Sequence, residues 1–410
     1  MKVGIVHLAD VRNYGDVLFP MLMGQEIRRR LPNAEISYIS ATGSTWPPLP
    51  NAFRIDQIDL DGFDLVILAG GEVVHRYDQM LREIFDRFNE QFIPNPTDLI
   101  FVWTKSKVKF KAWLSVGVPV YDQDPLSDLR GAIQSSINSL DFLGVRGSNS
   151  LSRLFQLDVQ KVEPKFTPDL GWMFPRLLNT HKYSLIRRPS KIPDLPKGNF
   201  VVIQSIWDIP KEDVEKICSW TLRESLKIVL LPLTRCWEDE NSLSYFHEYA
   251  NQLGYSHTSI IDTNVSDISK LDILSKCAMY VGESLHGFVS AASFGIRSGI
   301  VAKPQPDKFD EIMKDNEIEE FRIGNWYEIL DLFENLSRVD PRRFTQITKK
   351  HTKALDYELN TICSGAAMDC SLPYKLSMFI RRILILSKRN FSFVIFELIG
   401  HRKRLRSINL

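Results

Sequence analysis

The stretch YVGESLHGFVSAASFG, residues 280–295, sets one histidine, His286, between an apolar run and a run of small residues. If the first run is a strand and the second a helix, the ring stands at a helix N-terminus. Unpaired backbone N–H groups and the positive end of the helix dipole gather there, a setting that attracts anions. The same field lowers the ring's pKa until an anion offsets it, so protonation depends on the ligand. A catalytic acid/base fits this description, and so does a packed structural histidine. Ser284 and Leu285 precede the ring, and Gly287 after it leaves room for close contact.

Five other groups have types and places suited to the same chemistry. RNYGD, residues 12–16, carries Asn13, Gly15 and Asp16 in a loop that Asp16 could close as a helix cap. AGGEVVH, residues 69–75, ends an apolar run with Gly70 and Gly71, and adds His75. Arg146 ends DFLGVR, where a guanidinium can clamp a phosphate or carboxylate through two parallel hydrogen bonds, or simply make a surface ion pair. Asp169, in TPDLGW, is either a turn residue or a group that orients a ligand. Lys303 and Lys308 follow the strand-like SGIVA.

The elements needed to position these residues read as strands alternating with helices. KVGIVHL, EISYIS, FDLVILAGG, DLIFVW, WLSVGVPV and DFLGVR are the strand-like runs of the first half. VLFPMLMGQEIRRRL is a helix with Pro20 in or near its first turn, where the missing N–H matters little. The second half repeats the alternation from FVVIQSI onward. Two Rossmann-like α/β domains facing a cleft are expected: an acceptor-side domain over 1–175, a linker over 176–199 and a donor-side domain over 200–330. A helical segment over 331–373 and a basic amphipathic tail over 374–410 would follow. In such sheets ligands bind at the carboxyl ends of the strands, where every candidate above falls.

The chain has 410 residues, long enough for two cores. Its five cysteines are scattered with no CxxC pair, which suits a reducing, cytoplasmic setting and argues against a disulfide framework or zinc ribbon. The N-terminus reads as a first strand and not as a signal peptide. No G-x-G-x-x-G follows it, and no Walker loop, HExxH or G-x-S-x-G is present. Neither a metal nor a resident cofactor is expected.

In this order the motifs resemble those of the polysaccharide pyruvyl transferases. The N-x-G-D loop is Asn13, Gly15 and Asp16; DLVILAGG is the strand with a glycine run; GVRGSNS carries the arginine; Asp169 is the "PD" aspartate; GESLHGFVSAASFG and Lys308 complete the set. The likeness spans roughly residues 1–310. Ala69 stands where a third glycine is usual, Glu72 follows the run, and Ser284 replaces the arginine usual before Leu-His. The resemblance implies a GT-B-like, two-domain enzyme. Such an enzyme moves the pyruvyl skeleton of phosphoenolpyruvate onto two sugar hydroxyls, leaving a cyclic ketal and phosphate. It implies Arg146 for the donor's anionic groups, His286 as acid/base, protonated by the bound donor's charge, and Leu285 shaping the pocket. Asp16 or Asp169 would orient the acceptor, a sugar in a polysaccharide or lipid-linked glycan precursor. The alternatives are a GT-B glycosyltransferase using a nucleotide sugar and a non-catalytic glycan-binding relative, for which Ser284 is the main support.

The net charge of +1 conceals an asymmetry. Residues 374–410 carry nine basic side chains and one acid, Glu397, among bulky apolar residues. That composition suits a helix lying in a membrane interface, with peripheral attachment at the inner face of the membrane. Basic charge confined to one tail does not favour nucleic-acid binding.

Overall fold

The computed structural model describes residues 1–43, 49–72, 106–118, 130–156, 162–179, 195–196, 199–234, 237–303 and 308–371. His75, the expected strand DLIFVW, most of the linker and the basic tail lie outside these residues.

Two parallel sheets form the protein. The first contains β1 (Lys2–Val6), β2 (Glu35–Ser40), β3 (Ala52–Arg54), β4 (Leu65–Ala69), β5 (Phe110–Val116), β6 (Phe142–Val145) and β7 (Lys165–Phe166). Its spatial order is β3-β2-β1-β4-β5-β6-β7. The second contains β8 (Phe200–Gln204), β9 (Lys227–Leu230), β10 (Thr258–Ile260), β11 (Met279–Gly282), β12 (Arg297–Val301) and β13 (Arg322–Ile323), in the order β10-β9-β8-β11-β12-β13. Central strands such as β4 and β8 are buried along their whole length, as continuous apolar runs covered by helices on both faces should be. Each fully buried Val, Leu or Ile side chain there stabilises the fold by about 1.5–3 kcal/mol.

Both sheets change direction once. The first grows outward from β1 to β3, then restarts on the other side with β4; the second does the same between β8 and β11. The loops leaving the two central strands at such a point diverge and open a crevice. Residues 13–16 and 70–72 flank the first crevice, and residues 205–207 and 283–286 the second.

The helix after β1 departs from its expected start. It begins at Tyr14, not after Asp16, and runs to Arg30 as α1. The cause is tertiary: Asn13 bridges Thr234, and the Tyr14 N–H donates to the Leu233 carbonyl at 3.2 Å, so the second half aligns the first turn. Asp16 is therefore a first-turn residue and not the cap, and Pro20 lies in the second turn. The remaining α-helices among the described residues are α2 (Arg130–Asn138), α3 (Ser148–Gln156), α4 (Pro175–Leu178), α5 (Lys211–Arg223), α6 (Asp239–Gln252), α7 (Asp267–Leu274), α8 (Leu285–Ser293), α9 (Lys308–Asp315), α10 (Ile329–Arg338) and α11 (Arg342–Ser371).

The thirty-residue α11 returns from the second half to pack on the first. Asp356 on it accepts hydrogen bonds from Arg30 of α1 at 2.5 Å and Arg176 of α4 at 2.6 Å, and Arg176 also reaches the buried Glu26 at 2.9 Å. This clasp and the Tyr14–Ser290 hydroxyl bond at 3.0 Å join the two halves. Among the described residues no helix is long and apolar enough to cross a membrane.

Candidate active site

β11 ends at Gly282, and Ser284 then caps α8 by accepting the Gly287 N–H at 3.2 Å. Gln204 Oε1 accepts the Glu283 and Ser284 N–H groups at 3.0 and 2.8 Å, so the turn is held from β8. Ser284, which stands in place of an arginine, is thus occupied with starting the helix. Leu285 is buried in the core. His286, one residue on, projects toward the first half. Its side chain is only 12% exposed.

The ring is seated by α1. A Cβ built on Gly15 would fall 2.0 Å from His286 Nδ1, so no other residue type at 15 is compatible with this ring position. Phe19, one turn further along α1, meets the ring edge-on at 4.9 Å. Gly15→Ala is therefore expected to push the ring out of place and to lower kcat by roughly 100-fold, the usual penalty for an ångström-scale misplacement. Steady-state kinetics with a matched melting curve would check this; an unchanged kcat would show that the ring's seat is not needed.

Arg146 follows β6 from the other sheet and is 3% exposed. Its Nη1 donates to Asp169 Oδ2 at 2.8 Å and lies 3.3 Å from His286 Nε2. Arginine has no acceptor, so Nε2 must accept, and the ring is the neutral tautomer with its proton on Nδ1. Burial, the leading cause, brings the ring's pKa down to about 4. Asp169 pulls it upward, while Arg146 and Lys308 pull it further down. With these neighbours and no bound anion to offset them, the ring is neutral at pH 7, and burial is the leading cause.

Asp169 is placed by an irregular strand. Ser115, near the end of β5, takes a left-handed conformation with φ of 58°, where the β5–β6 register shifts. Its N–H donates to Thr167 Oγ1 at 3.1 Å and its hydroxyl to the Pro168 carbonyl at 2.6 Å, which fixes the turn bearing Asp169. Asp169 Oδ1 accepts the Gly171 N–H at 2.8 Å, which leaves Oδ2 for Arg146.

Gly70 and Gly71 both have positive φ, at 68° and 81°, and turn the chain after β4 under α1. A Cβ on Gly71 would lie 3.5 Å from Asp16 Oδ1, which places Asp16 against the glycine turn. Burial raises the pKa of Asp16 to about 7; Arg146, Lys308 and a hydrogen bond with Asn13 oppose the rise, and Glu72 adds to it. Asp16 is the site carboxyl adjacent in sequence to the glycine that seats the histidine.

Lys308, the first residue of α9, donates to Glu72 Oε2 at 3.0 Å. Lys303 is exposed. Glu311, on the next turn of α9, accepts the Ser150 N–H at 2.5 Å, and its pKa is raised to about 7, chiefly by burial. A small cleft open to solvent is lined by Arg146, Asp169, Trp172, Lys308, Glu311 and His351. Among the described residues no group of His, Cys, Asp or Glu could hold a metal ion.

The structure thus brings Asn13, Gly15, Asp16, Gly70, Gly71, Arg146, Asp169, His286 and Lys308 to one place between the sheets. Sequence reasoning overlooked three contributors. Phe19 and Ser115 carry no chemical signal of their own. Glu72 showed only as an oddity after the glycine run.

Two parallel-sheet α/β domains with a charged site between them have the GT-B-like arrangement. The description "Polysaccharide pyruvyl transferase" matches residues 13–302, and the chain belongs to that family. No curated protein matches the sequence. Among solved structures, a UDP-GlcNAc 2-epimerase from Methanocaldococcus jannaschii is similar in fold, with a TM-score of 0.54 at 10% identity over 86% of this chain and 100% of the other. A provisionally assigned UDP-N-acetylglucosamine 2-epimerase from Listeria monocytogenes gives 0.52 at 9% identity over 90% and 95%. At these identities the likeness is one of fold.

Proposed function

We propose that the protein transfers the pyruvyl group of phosphoenolpyruvate onto two hydroxyls of one sugar in a polysaccharide or lipid-linked glycan precursor. The observation that carries this reading is the convergence of Arg146 and Lys308, one cation from each half, beside a neutral histidine and a carboxyl with a near-neutral pKa. A compact trianion needs the cations, and ketal formation needs a proton donor and a proton acceptor.

Asp16, still protonated up to about pH 7, gives its proton to the methylene carbon of the donor. The adjacent carbon becomes electrophilic and the first sugar hydroxyl adds to it, losing its proton to His286 Nε2. The carbon–oxygen bond to phosphate breaks, and the histidine proton leaves with the phosphate. The second hydroxyl closes the ketal, and its proton restores Asp16. Arg146 and Lys308 hold the donor's anionic ends throughout. The basic composition of residues 374–410 supports an acceptor presented at a membrane surface.

The proposal sets the sign of each limb of the pH profile. Asp16 works protonated, so kcat/KM falls as pH rises through about 7. His286 works neutral, so kcat/KM also falls as pH drops toward about 4. Acceptor-dependent phosphate release from phosphoenolpyruvate, measured from pH 4 to 9 with pooled lipid-linked glycans, tests both limbs. Mass spectrometry of the acceptor should show a gain of pyruvate less water. A rate that keeps rising above pH 8 would rule out Asp16 as the acid, and an acceptor of unchanged mass would rule out the reaction.

A further inference from the structure

Glu72 lies between the two cations assigned to the donor. Its Oε1 faces Arg146 Nη2 at 3.9 Å, and its Oε2 accepts from Lys308 Nζ at 3.0 Å. One carboxylate therefore spans an arginine of the first half and a lysine of the second, one oxygen to each. That is the place, the charge and the two-oxygen reach of one anionic end of the donor. The other acids nearby are engaged elsewhere: Asp169 with Arg146 Nη1 and the Gly171 N–H, Glu311 with Ser150, and Asp16 with Asn13.

We infer that Glu72 is an internal stand-in for the donor's anionic group and sets a charge threshold for what may bind. Together with Asp169 it balances the charges of Arg146 and Lys308, and it keeps the two cations in register across the crevice before a donor arrives. Burial works against the Arg146 charge, and Asp169 and then Glu72 compensate it. A ligand must displace this carboxylate to reach both cations. A monoanion only exchanges one negative charge for another; a dianionic phosphate or a trianionic phosphate ester gains by the exchange. The site thus rejects the singly charged anions abundant around it and admits the multiply charged donor proposed above, and this inference rests on that reading.

The displacement needs little movement. The backbone at Glu72 is anchored by a ladder bridge to Gly117, whose N–H donates to the Gly71 carbonyl at 2.8 Å. The side chain is 25% exposed, so rotation about its own bonds can carry the carboxylate to solvent.

Calorimetric titration of the full chain with inorganic phosphate, phosphoenolpyruvate and acetate tests this on wild type, Glu72→Gln and Glu72→Asp. Glu72→Gln should bind phosphate and phosphoenolpyruvate roughly tenfold more tightly, the change expected on removing one competing, partly exposed charge. Acetate binding should become measurable in that variant alone. Glu72→Asp retains the charge on a shorter arm and should fall between the two, and melting curves confirm that each variant is folded. If Glu72→Gln binds phosphate no better than wild type, the stand-in is overturned even where wild type consumes phosphoenolpyruvate. If Glu72→Gln gains phosphate affinity while no chain releases phosphate from phosphoenolpyruvate, the stand-in holds and the donor reading fails.

Discussion

Replacing His286 by alanine is expected to remove turnover and leave donor binding almost intact. The loss in kcat should be ~10²–10⁴-fold, the contribution of a positioned acid/base. The donor's charge is met mainly by Arg146 and Lys308, so KM for phosphoenolpyruvate should move by less than about threefold. The ring meets Arg146 at 3.3 Å, Asp169 at 3.9 Å, Phe19 with ring centroids 4.9 Å apart, and the backbone at Gly15. A matched melting curve checks that the variant folds. His286→Gln keeps most of the volume and a hydrogen-bonding end but cannot relay a proton at neutral pH, and it should be as inactive as the alanine variant. Phosphate release in the presence of acceptor measures both. Wild-type kcat in either variant would remove the ring from the chemistry.

Replacing Arg146 by alanine has the second large effect, and it acts on two properties at once. Donor binding should be lost. The fold should also lose about 3–5 kcal/mol, because Asp169, 3% exposed, would be left buried without its ion-pair partner. The two losses separate in the double variant Arg146→Ala/Asp169→Asn. Removing the orphaned charge should return much of the melting temperature while donor binding stays absent. Arg146→Lys keeps the charge and gives up the planar fork, and it should weaken donor binding by about tenfold or more. Donor titration paired with thermal melts checks each case. A double variant that recovers donor binding along with stability would show that Arg146 holds the fold and not the donor.

The parts of this site legible in the sequence are those where one residue's type already limits its place. His286 opens a small-residue helix after an apolar strand, and both elements are where the pattern puts them. Arg146 ends a short strand, and Gly70 and Gly71 end another with the positive φ that paired glycines permit. The parallel alternation follows from continuous apolar runs separated by amphipathic stretches. The two-residue edge strands β7 and β13 were not legible, since each owes its existence to a neighbouring strand and not to its own composition.

What could not be read is set by contacts across the chain. The start of α1 at Tyr14 depends on Leu233, more than 200 residues away. Gly15 looks like a residue for close ligand approach; its neighbour is the His286 ring itself. Ser284 reads as a lost arginine, yet in three dimensions it is the cap that aims the histidine. The near-neutral pKa of Asp16 comes from burial beneath the glycine turn, and no local pattern encodes burial. Glu72 gains meaning only when Lys308 is brought beside it.

The central claim is that the two halves converge on a small, multiply charged donor. Titration of the wild-type chain with phosphoenolpyruvate, alongside a panel of nucleotide sugars under the same conditions, tests it most directly. Saturable binding of one phosphoenolpyruvate per chain, with no nucleotide sugar competing, is the expected result. Binding of a nucleotide sugar in a chain that ignores phosphoenolpyruvate would contradict it.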